Sequence, residues 1–241
     1  MPFSRRRFSQ LACAISLLIL SGCGGERTAP ATPQPTPTPA HILERASRRL
    51  AATPSVHFVL DVAGDTFVDT GGAIRLLGAE GDLRRPDRVF TTFQAEVMGR
   101  QITLQLITIG EQSWTTNVLT GEWENAPLEF AYRPDTLFST QDGIGPVMGR
   151  VTDVQRLPDE EIAGRAAYHV QAKVDEEVVG PLTYYTLSGS PVTVDLWIDV
   201  ETDDLLRAVM SEPPHADKSH PATWTLDLSH HGEEISIEPP Q

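Results

Sequence analysis

The fold is decided by residues 89–106, which read VFTTFQAEVMGRQITLQL. Apolar side chains recur at every second position on both sides of Gly99-Arg100, and polar side chains fill most of the positions between them. Because successive side chains of a strand point to opposite faces, this period of two predicts two strands that are each buried on one face. Gly99-Arg100 is typical of a tight turn, so the stretch predicts a β-hairpin.

The same period of two returns along most of the chain. Further strands are predicted at 56–62, 114–118, 168–174, 192–200, 206–210 and 224–228, with a last short strand at 235–237. Consecutive alternating runs indicate an antiparallel sheet with one dry face and one solvated face. Trp197 falls on the solvated register of its strand, where it suits either a partner contact or simple partial exposure.

One clear helix precedes the strands. Its apolar positions recur at helical spacing and are Ile42, Leu43, Ala46 and Leu50. Thr53-Pro54 ends the helix, because the residue before a proline leaves the α region. A second, helical or irregular segment is predicted over 133–149, and its Gly143, Gly145 and Gly149 are expected to give it backbone freedom.

These two segments are too small to cover the dry face of so large a sheet. The rest of that face must be closed by a second sheet, by closure into a barrel, or by an apolar ligand. A self-packed sandwich or barrel and an open, curved sheet around a lipid cavity therefore both fit the pattern. The candidate cavity residues are five on the dry face and three in 133–149, which would act as a mobile lid or a fixed plug: Phe58, Leu60, Phe93, Leu104, Leu106, Leu137, Phe138 and Met148.

The charge of the chain limits its partners. The 241 residues carry a formal net charge of −14. The first 22 residues hold three arginines and no acid, so in the remainder 16 basic residues face 33 acidic ones. Lys and Arg supply most of the affinity of proteins for nucleic acid, which excludes nucleic acid as a partner. An anionic membrane surface would also repel such a body.

The N-terminus reads as an export signal over residues 1–22. Three arginines precede an apolar run from Leu11 to Leu20, which is too short to cross a bilayer of about 30 Å as a helix. Leu20-Ser21-Gly22-Cys23 resembles the lipobox of bacterial lipoproteins, which implies acylation of the Cys23 thiol and cleavage before it. Ser4-Arg5-Arg6-Arg7-Phe8 resembles the twin-arginine export consensus, and a generic basic region remains the alternative.

Residues 23–40 follow as a tether. They are rich in alternating proline and threonine and cannot form a core, so they are expected to be extended. At about 3.1 Å per residue, their full reach is on the order of 50 Å. The tether would hold one domain, residues 41–241, off the membrane that carries the anchor.

The residues predict neither a catalytic site nor a metal site. The chain contains no HExxH, GxSxG or P-loop sequence, so no enzyme activity and no cofactor are expected. Its two cysteines, Cys13 and Cys23, precede the domain and cannot form a zinc site within it. His230-His231 would point to opposite faces of a strand, and the acidic runs at 159–161 and 175–177 are expected to be solvated beside strand ends.

Several weak motifs follow one another along the chain in an order that is characteristic when they are taken together. They are the lipobox, the Pro/Thr tether, the helix that ends in Ala51-Ala52-Thr53-Pro54, the hairpin at Gly99, and Gly164-Arg165-Ala166-Ala167-Tyr168. Together they resemble the LppX/LprG-type bacterial lipoprotein family, which is similar in fold to the LolA/LolB lipoprotein carriers. The resemblance implies an α+β, mainly antiparallel fold: a curved half-barrel sheet with helices covering its concave face. It also implies a hydrophobic cavity that binds acylated lipids.

The sequence therefore predicts a non-catalytic lipoprotein of the cell envelope, anchored by lipid on the extracytoplasmic face of the cell membrane. Its expected ligand is an acyl lipid or glycolipid, and an envelope transport protein is an expected partner in lipid transfer. The alternative is an interaction or sensing module of the same fold without a lipid ligand. A lipid extract of protein purified without detergent distinguishes the two.

Overall fold

The computed structural model describes residues 36–68, 72–126, 134–183, 185–214 and 218–241. Cys23 and the predicted export signal lie outside these described residues. Contacts within the chain separate residues 1–36 from a compact unit of residues 37–241, and all the helices and strands below belong to that unit. Among the described residues, no helix is both long enough and apolar enough to cross a membrane.

The described residues form twelve strands in one antiparallel sheet. The strands are β1 (Ser55–Ala63), β2 (Ile74–Arg84), β3 (Arg88–Val97), β4 (Arg100–Ile109), β5 (Gln112–Thr116), β6 (Trp123–Asn125), β7 (Thr152–Arg156), β8 (Glu160–Ile162), β9 (Arg165–Val174), β10 (Val192–Asp199), β11 (Leu205–Ser211) and β12 (Thr223–Ser229). Their order across the sheet is β6-β5-β4-β3-β2-β1-β12-β11-β10-β9-β7, and β8 pairs with β9.

The helices are few and short. They are α1 (Pro39–Ala52), α2 (Ile144–Met148), α3 (Glu176–Thr183) and a 3-10 helix at Pro134–Phe138. The first helix begins where Thr38 caps it, since the Thr38 hydroxyl accepts a hydrogen bond of 3.3 Å from the backbone N–H of His41. It ends at Thr53-Pro54, as predicted, and buries the four predicted apolar residues.

One face of the sheet carries the helices, and we call it the inner face. A row of directly paired residues crosses it: Leu226, Leu60, Ala79, Phe93 and Leu104. Residues that pair directly in antiparallel strands point to the same face, so the predicted dry face is confirmed. Most of its buried side chains join those of the helices in one hydrophobic core.

The fold class is confirmed, because the sheet is antiparallel, open and curved, with few helices. Closure into a barrel or a two-sheet sandwich was the wrong alternative: among the described strands, the path ends at β6 on one side and at β7 on the other. The strand expected at 235–237 is also wrong. That segment is irregular, and Ile237 is buried while its carbonyl accepts a hydrogen bond of 2.6 Å from the Arg88 guanidinium.

Five elements were not predicted, namely β2, β6, β7, β8 and α3, and two of them show why. The first is β2, whose Gly78 and Gly81 interrupt the alternation of apolar residues. Both glycines are required by close approach, since a Cβ at Gly81 would lie 2.0 Å from the Phe90 carbonyl oxygen. The second is α3, which begins within the acidic run at 175–177 that was expected to be solvated beside a strand end.

The antiparallel strands place their connections at two opposite ends of the sheet. We call the end with the β2–β3, β4–β5 and β10–β11 turns the polar end. There, Asp204 is buried and accepts hydrogen bonds from Arg49 of α1 at 2.7 Å and from Arg165 of β9 at 3.1 Å. Arg165 also reaches Asp199 at 2.8 Å. These ion pairs fix α1 to two strands.

The opposite end, which we call the apolar end, contains the connections 64–73, 98–99, 117–122 and 184–191. These join β1 to β2, β3 to β4, β5 to β6, and α3 to β10. The connection between β11 and β12 lies at the same end, because Ser211 pairs with Thr223 and Thr223 pairs with Ala63.

Candidate functional site

A small apolar space lies between α2, α3 and the inner face of β9–β12. Its volume is about 30 Å³. Every side chain around it is apolar: Ile144, Val147, Met148, Val151, Val174, Val179, Leu182, Val194, Leu196, Ala208, Met210 and Leu226. A space of this kind offers water no hydrogen-bond partner, so it favours an apolar occupant over water.

The third helix forms one wall of this space, because its apolar residues Val179 and Leu182 are three positions apart and both face the core. Glu176 and Glu177 lie in its first turn, where negative charge is favourable. The two ends of the α3 region are joined by polar contacts: the Glu176 N–H donates to the Ser190 hydroxyl at 2.9 Å, and the Gly189 N–H donates to the Glu176 carboxylate at 2.7 Å.

The same helix is a weak element. It has only eight residues, and helices of that length owe their stability to packing. Pro181 lies inside it and removes one backbone donor. Gly180 has low helix propensity, yet a side chain there would lie within 2.4 Å of the Tyr185 ring. The third helix therefore depends on its packing against the sheet rather than on its own helix propensity.

The second helix is tied to the first by a hydrogen bond, and the segment before it is held by Arg85. The Ser47 hydroxyl of α1 donates to the Gly145 carbonyl at 2.8 Å, which ties α2 to α1. Arg85 donates to the carbonyl oxygens of Thr53 and Phe138, and burial lowers the pKa of its guanidinium. The glycine of the α2 cap, Gly143, does not supply backbone freedom as expected: its φ is −76°, and a Cβ there would lie 2.4 Å from the Ser139 carbonyl oxygen.

The size of the void determines how a ligand can enter. Pockets for small molecules usually measure about 300–1,000 Å³. A void of about 30 Å³ is an order of magnitude smaller, so the space as it stands is too small for an acyl chain. An acyl chain can occupy it only if α3, α2 or both move away from the sheet. Such local opening requires far less free energy than global unfolding when few contacts are lost.

The structure distributes the eight candidate residues over the inner face. Met148 lines the void, whereas the rings of Phe58 and Phe138 pack together with centroids 6.2 Å apart, outside the void lining. Leu60 and Leu137 belong to the same core, and Phe93 packs against it while partly buried. Leu106 is buried and Leu104 partly buried on the β4 part of the inner face. Contact of any of these residues with a ligand stays a prediction.

Sequence reasoning missed two residues of the wall, Val179 and Leu182. A signal was available: Asp175 precedes Glu176 and Glu177, and acidic residues before an apolar run mark the start of a helix. The backbone N–H groups of Val178 and Val179 both donate to the Asp175 carbonyl, which starts the helix. The remaining wall residues on β10–β12 alternate as predicted.

A cluster of histidine, acidic and tryptophan side chains lies on the outer face of the sheet. His169 is buried, and its two ring nitrogens lie 3.0 Å from Glu160 and 2.9 Å from Asp195. Trp197 stacks on His169 with ring centroids 4.3 Å apart, which confirms that Trp197 lies on the opposite face from Leu196. The acidic run at 159–161 is therefore not simply solvated.

The pair His230-His231 does not have the geometry of a metal site either. His230-His231 follows β12 in a turn rather than lying within a strand, and His231 is hydrogen-bonded to the Leu205 carbonyl at 3.0 Å. Burial lowers the pKa of His231, although the nearby Asp204 carboxylate opposes that shift. Within the part of the chain that the structure describes, no group of three or more His, Cys, Asp or Glu side chains is arranged to hold a metal ion.

Comparison with known proteins places this architecture. The sequence model of the LppX_LprAFG lipoprotein family matches residues 38–237. Among solved structures, LprF from Mycobacterium bovis is 19% identical, with a TM-score of 0.67 over 84% of this chain and 96% of LprF. Lipoprotein LppX from Mycobacterium tuberculosis is 16% identical, with a TM-score of 0.59 over 83% of this chain and 98% of LppX. At these identities the structural matches show the fold alone. No curated protein matches the sequence.

Proposed function

This chain belongs to the LppX_LprAFG lipoprotein family, and we propose that it binds an acyl lipid or glycolipid, without chemistry, on the inner face of its sheet. One observation carries the proposal: an entirely apolar space lies under a short, weak helix.

The apolar surface area that the ligand removes from water decides whether such binding is favourable. Apolar surface removed from water contributes about 25 cal/mol per Å², and association costs several kcal/mol. An acyl chain buried along the inner face gains this area term without any polar partner. Displacement of α3 costs part of the gain, because Val179 and Leu182 leave the core.

The lipid anchor is the second part of the proposal. Acylation of Cys23 would hold the acidic domain at the membrane, since each buried CH₂ contributes about 0.8 kcal/mol and two or more chains anchor stably. Cys23→Ala should leave an unprocessed precursor without acyl label. Metabolic labelling with a fatty acid tests this, and label on the variant would contradict the anchor.

Two alanines of the inner face provide a matched test of lipid binding. Both Ala208 and Ala79 are buried, but only Ala208 lines the void. Substitution of either by leucine is expected to cost about 1–3 kcal/mol of stability through overpacking. Only Ala208→Leu should weaken the binding of a fluorescent phospholipid to residues 37–241.

The outcomes separate three arrangements of the ligand. Loss of binding in Ala208→Leu alone supports the space under α3. Loss in both variants means that the lipid extends along the inner face past Ala79, toward Phe93 and Leu104. Unchanged binding in both variants would contradict the proposed site.

The small volume of the void favours a second candidate function. An envelope interaction or sensing module of this fold would keep the inner face closed, as the structure has it. Such a module would bind no fluorescent phospholipid and would show no acyl lipid in an extract.

A further inference from the structure

The exposed apolar side chains of the domain are distributed unequally. Among the described residues, all the large apolar side chains that are exposed lie in connections at the apolar end: Phe67, Val68, Met98, Val118, Leu119 and Tyr185. Met98 is 93% exposed and Leu119 is 94% exposed. The described connections of the polar end contain none.

Strand direction brings these residues to one end. The connections at 64–73, 98–99 and 117–122 are the turns of three successive hairpins, so they project from the same end of neighbouring strands. Phe67 and Met98 line one open cleft between the first two turns. Tyr185 lies in the connection from α3 to β10, at the same end.

Folding does not require apolar residues at these positions. Met98 has a φ of +51°, a left-handed conformation that glycine or asparagine adopts at lower cost. Val118 and Leu119 occupy a turn in which polar residues would serve equally well. A monomeric domain gains nothing from these exposed side chains, which points to a partner that buries them.

We infer that the apolar end docks on a lipid surface, namely the bilayer that carries the protein's own anchor. The inference rests on the lipid anchor of the proposed function. The residues lie at separate projecting turns rather than in a continuous groove, and projecting apolar turns can each enter the interfacial region of a bilayer. The half-buried Trp123 and the exposed Tyr185 suit that region, where aromatic rings with a polar edge are favoured.

The acids beside the hairpin turns of the apolar end are mostly paired, whereas Asp175 and Glu177 at the start of α3 are exposed at the same end. The chain as a whole carries −14, which an anionic surface repels. At the apolar end, Glu96 is paired with Arg75 at 2.9 Å and Asp65 lies 3.4 Å from His220. Arg100 is exposed next to Met98, where a long cationic side chain can reach phosphate groups. Glu122 is the exposed acid nearest the Val118-Leu119 turn, and it follows the turn rather than forming its tip.

The tether is long enough to permit this orientation. Residues 23–38 can span on the order of 50 Å when extended. The longest strand, β2, has 11 residues and is about 36 Å long. The domain can therefore turn its apolar end toward the membrane wherever residue 38 lies.

Docking would also bring the proposed ligand site to its source. Val174 and Met210 line the void from the apolar-end half of their strands, and α3 leaves and re-enters the sheet at that end. Lipid could then pass between bilayer and void along α3 without crossing water.

Single introduced cysteines provide a direct test, because the chain has only two cysteines of its own, Cys13 and Cys23. Under the proposed function, Cys13 is removed with the signal and the thiol of Cys23 is acylated. The full chain with Met98→Cys or Leu119→Cys is labelled with a fluorescent dye and reconstituted through its anchor into phosphatidylcholine vesicles that contain an acyl-chain nitroxide. Glu111→Cys, in the exposed β4–β5 turn of the polar end, is the matched control.

Several-fold stronger quenching at positions 98 and 119 than at position 111 is expected. Equal quenching at the three positions, or none, overturns the inference, as does protection of positions 98 and 119 by a co-purifying protein. Lipid content measured on the same samples keeps the two proposals apart: lipid in the protein without quenching at 98 and 119 rejects docking and leaves lipid binding standing.

Discussion

The two ends of the sheet differ in the side chains that they expose, although the same strands build both. At the polar end, the carboxylate of Asp204 is buried between Arg49 and Arg165, and the C-terminal segment is fastened by Arg88 to the Ile237 carbonyl. At the apolar end, side chains such as Leu119 stand almost fully in solvent. A buried charge without its partner is expensive, whereas an exposed apolar side chain costs a folded monomer little. Stability is therefore expected to depend on the polar end and, at the apolar end, on the buried pair of Glu212 and Lys218, while the exposed turns are free to serve binding.

The largest effect is expected from Asp204→Ala. The substitution leaves Arg49 without its acceptor and Arg165 with Asp199 alone, so that α1 keeps only the Arg45–Asp203 ion pair to the β10–β11 turn. Both arginines are partly exposed, so solvent screening reduces the cost, and a loss of about 2–4 kcal/mol is expected. Urea denaturation measures it. A loss no larger than that of a surface substitution would show that the polar end does not carry the stability.

The C-terminal segment should matter nearly as much. Ile237 is 3% exposed, and truncation of a buried isoleucine to alanine costs about 2–4 kcal/mol. Ser236→Ala, at the exposed neighbouring position, is the control and should change stability by less than about 0.5 kcal/mol. Equal effects of the two substitutions would mean that the segment is not part of the folded core.

The polar end should also make stability depend on pH. Burial disfavours the charged forms of Asp204 and Asp199, but hydrogen bonds from arginine and Thr202 outweigh it and lower both pKa values below 3.8. Burial lowers the pKa of His231 below 6.5. In all three cases the unfolded chain binds the proton more readily, so stability falls as pH falls.

The fall should occur in two steps. The first begins below about pH 6.5, where His231 becomes protonated in the unfolded chain, and the second begins below about pH 4, where the two aspartates do. Urea midpoints measured from neutral to acid pH test this, and His231→Gln should remove the first step alone. Stability that rises on acidification would contradict the assignment.

The smallest effect is expected at the apolar end. Met98→Asn relieves a left-handed methionine, and Leu119→Ser replaces a side chain that is 94% exposed. Each should change the free energy of unfolding by no more than about 0.5 kcal/mol. Destabilisation equal to that of Asp204→Ala would remove the contrast between the two ends.

Local alternation of apolar and polar residues could predict part of the fold. Period-two alternation predicted most strands and the shared face of Leu60, Phe93 and Leu104. The reason is that the alternation within a single strand already fixes the face to which each side chain points, independently of tertiary structure. Four strands were missed, the short β6, β7 and β8 and the long β2. The last contains Gly78 and Gly81, which close approach of backbones requires and which no local pattern reveals. The irregular 235–237 segment imitates a strand because burial of alternate residues does not require pairing.

The candidate site was predictable only in part. Met148 was found from its place in an apolar segment, but Val179 and Leu182 were hidden behind an acidic run taken for a solvated surface. The partnership of Asp204 with Arg49 spans 155 positions and depends on the fold, so no local pattern could show that this turn residue is buried.

The lipid content of the purified domain tests directly whether the inner face of the sheet binds an acyl lipid. Residues 37–241, exported behind a cleavable signal without Cys23 and purified without detergent, are extracted with organic solvent, and the extract is analysed by mass spectrometry against an equal amount of an unrelated exported protein. An acyl lipid is expected at up to one per protein molecule, reduced in Ala208→Leu and retained in Ala79→Leu. An extract with no acyl lipid above the control, from protein that also fails to bind added phospholipid, would contradict it.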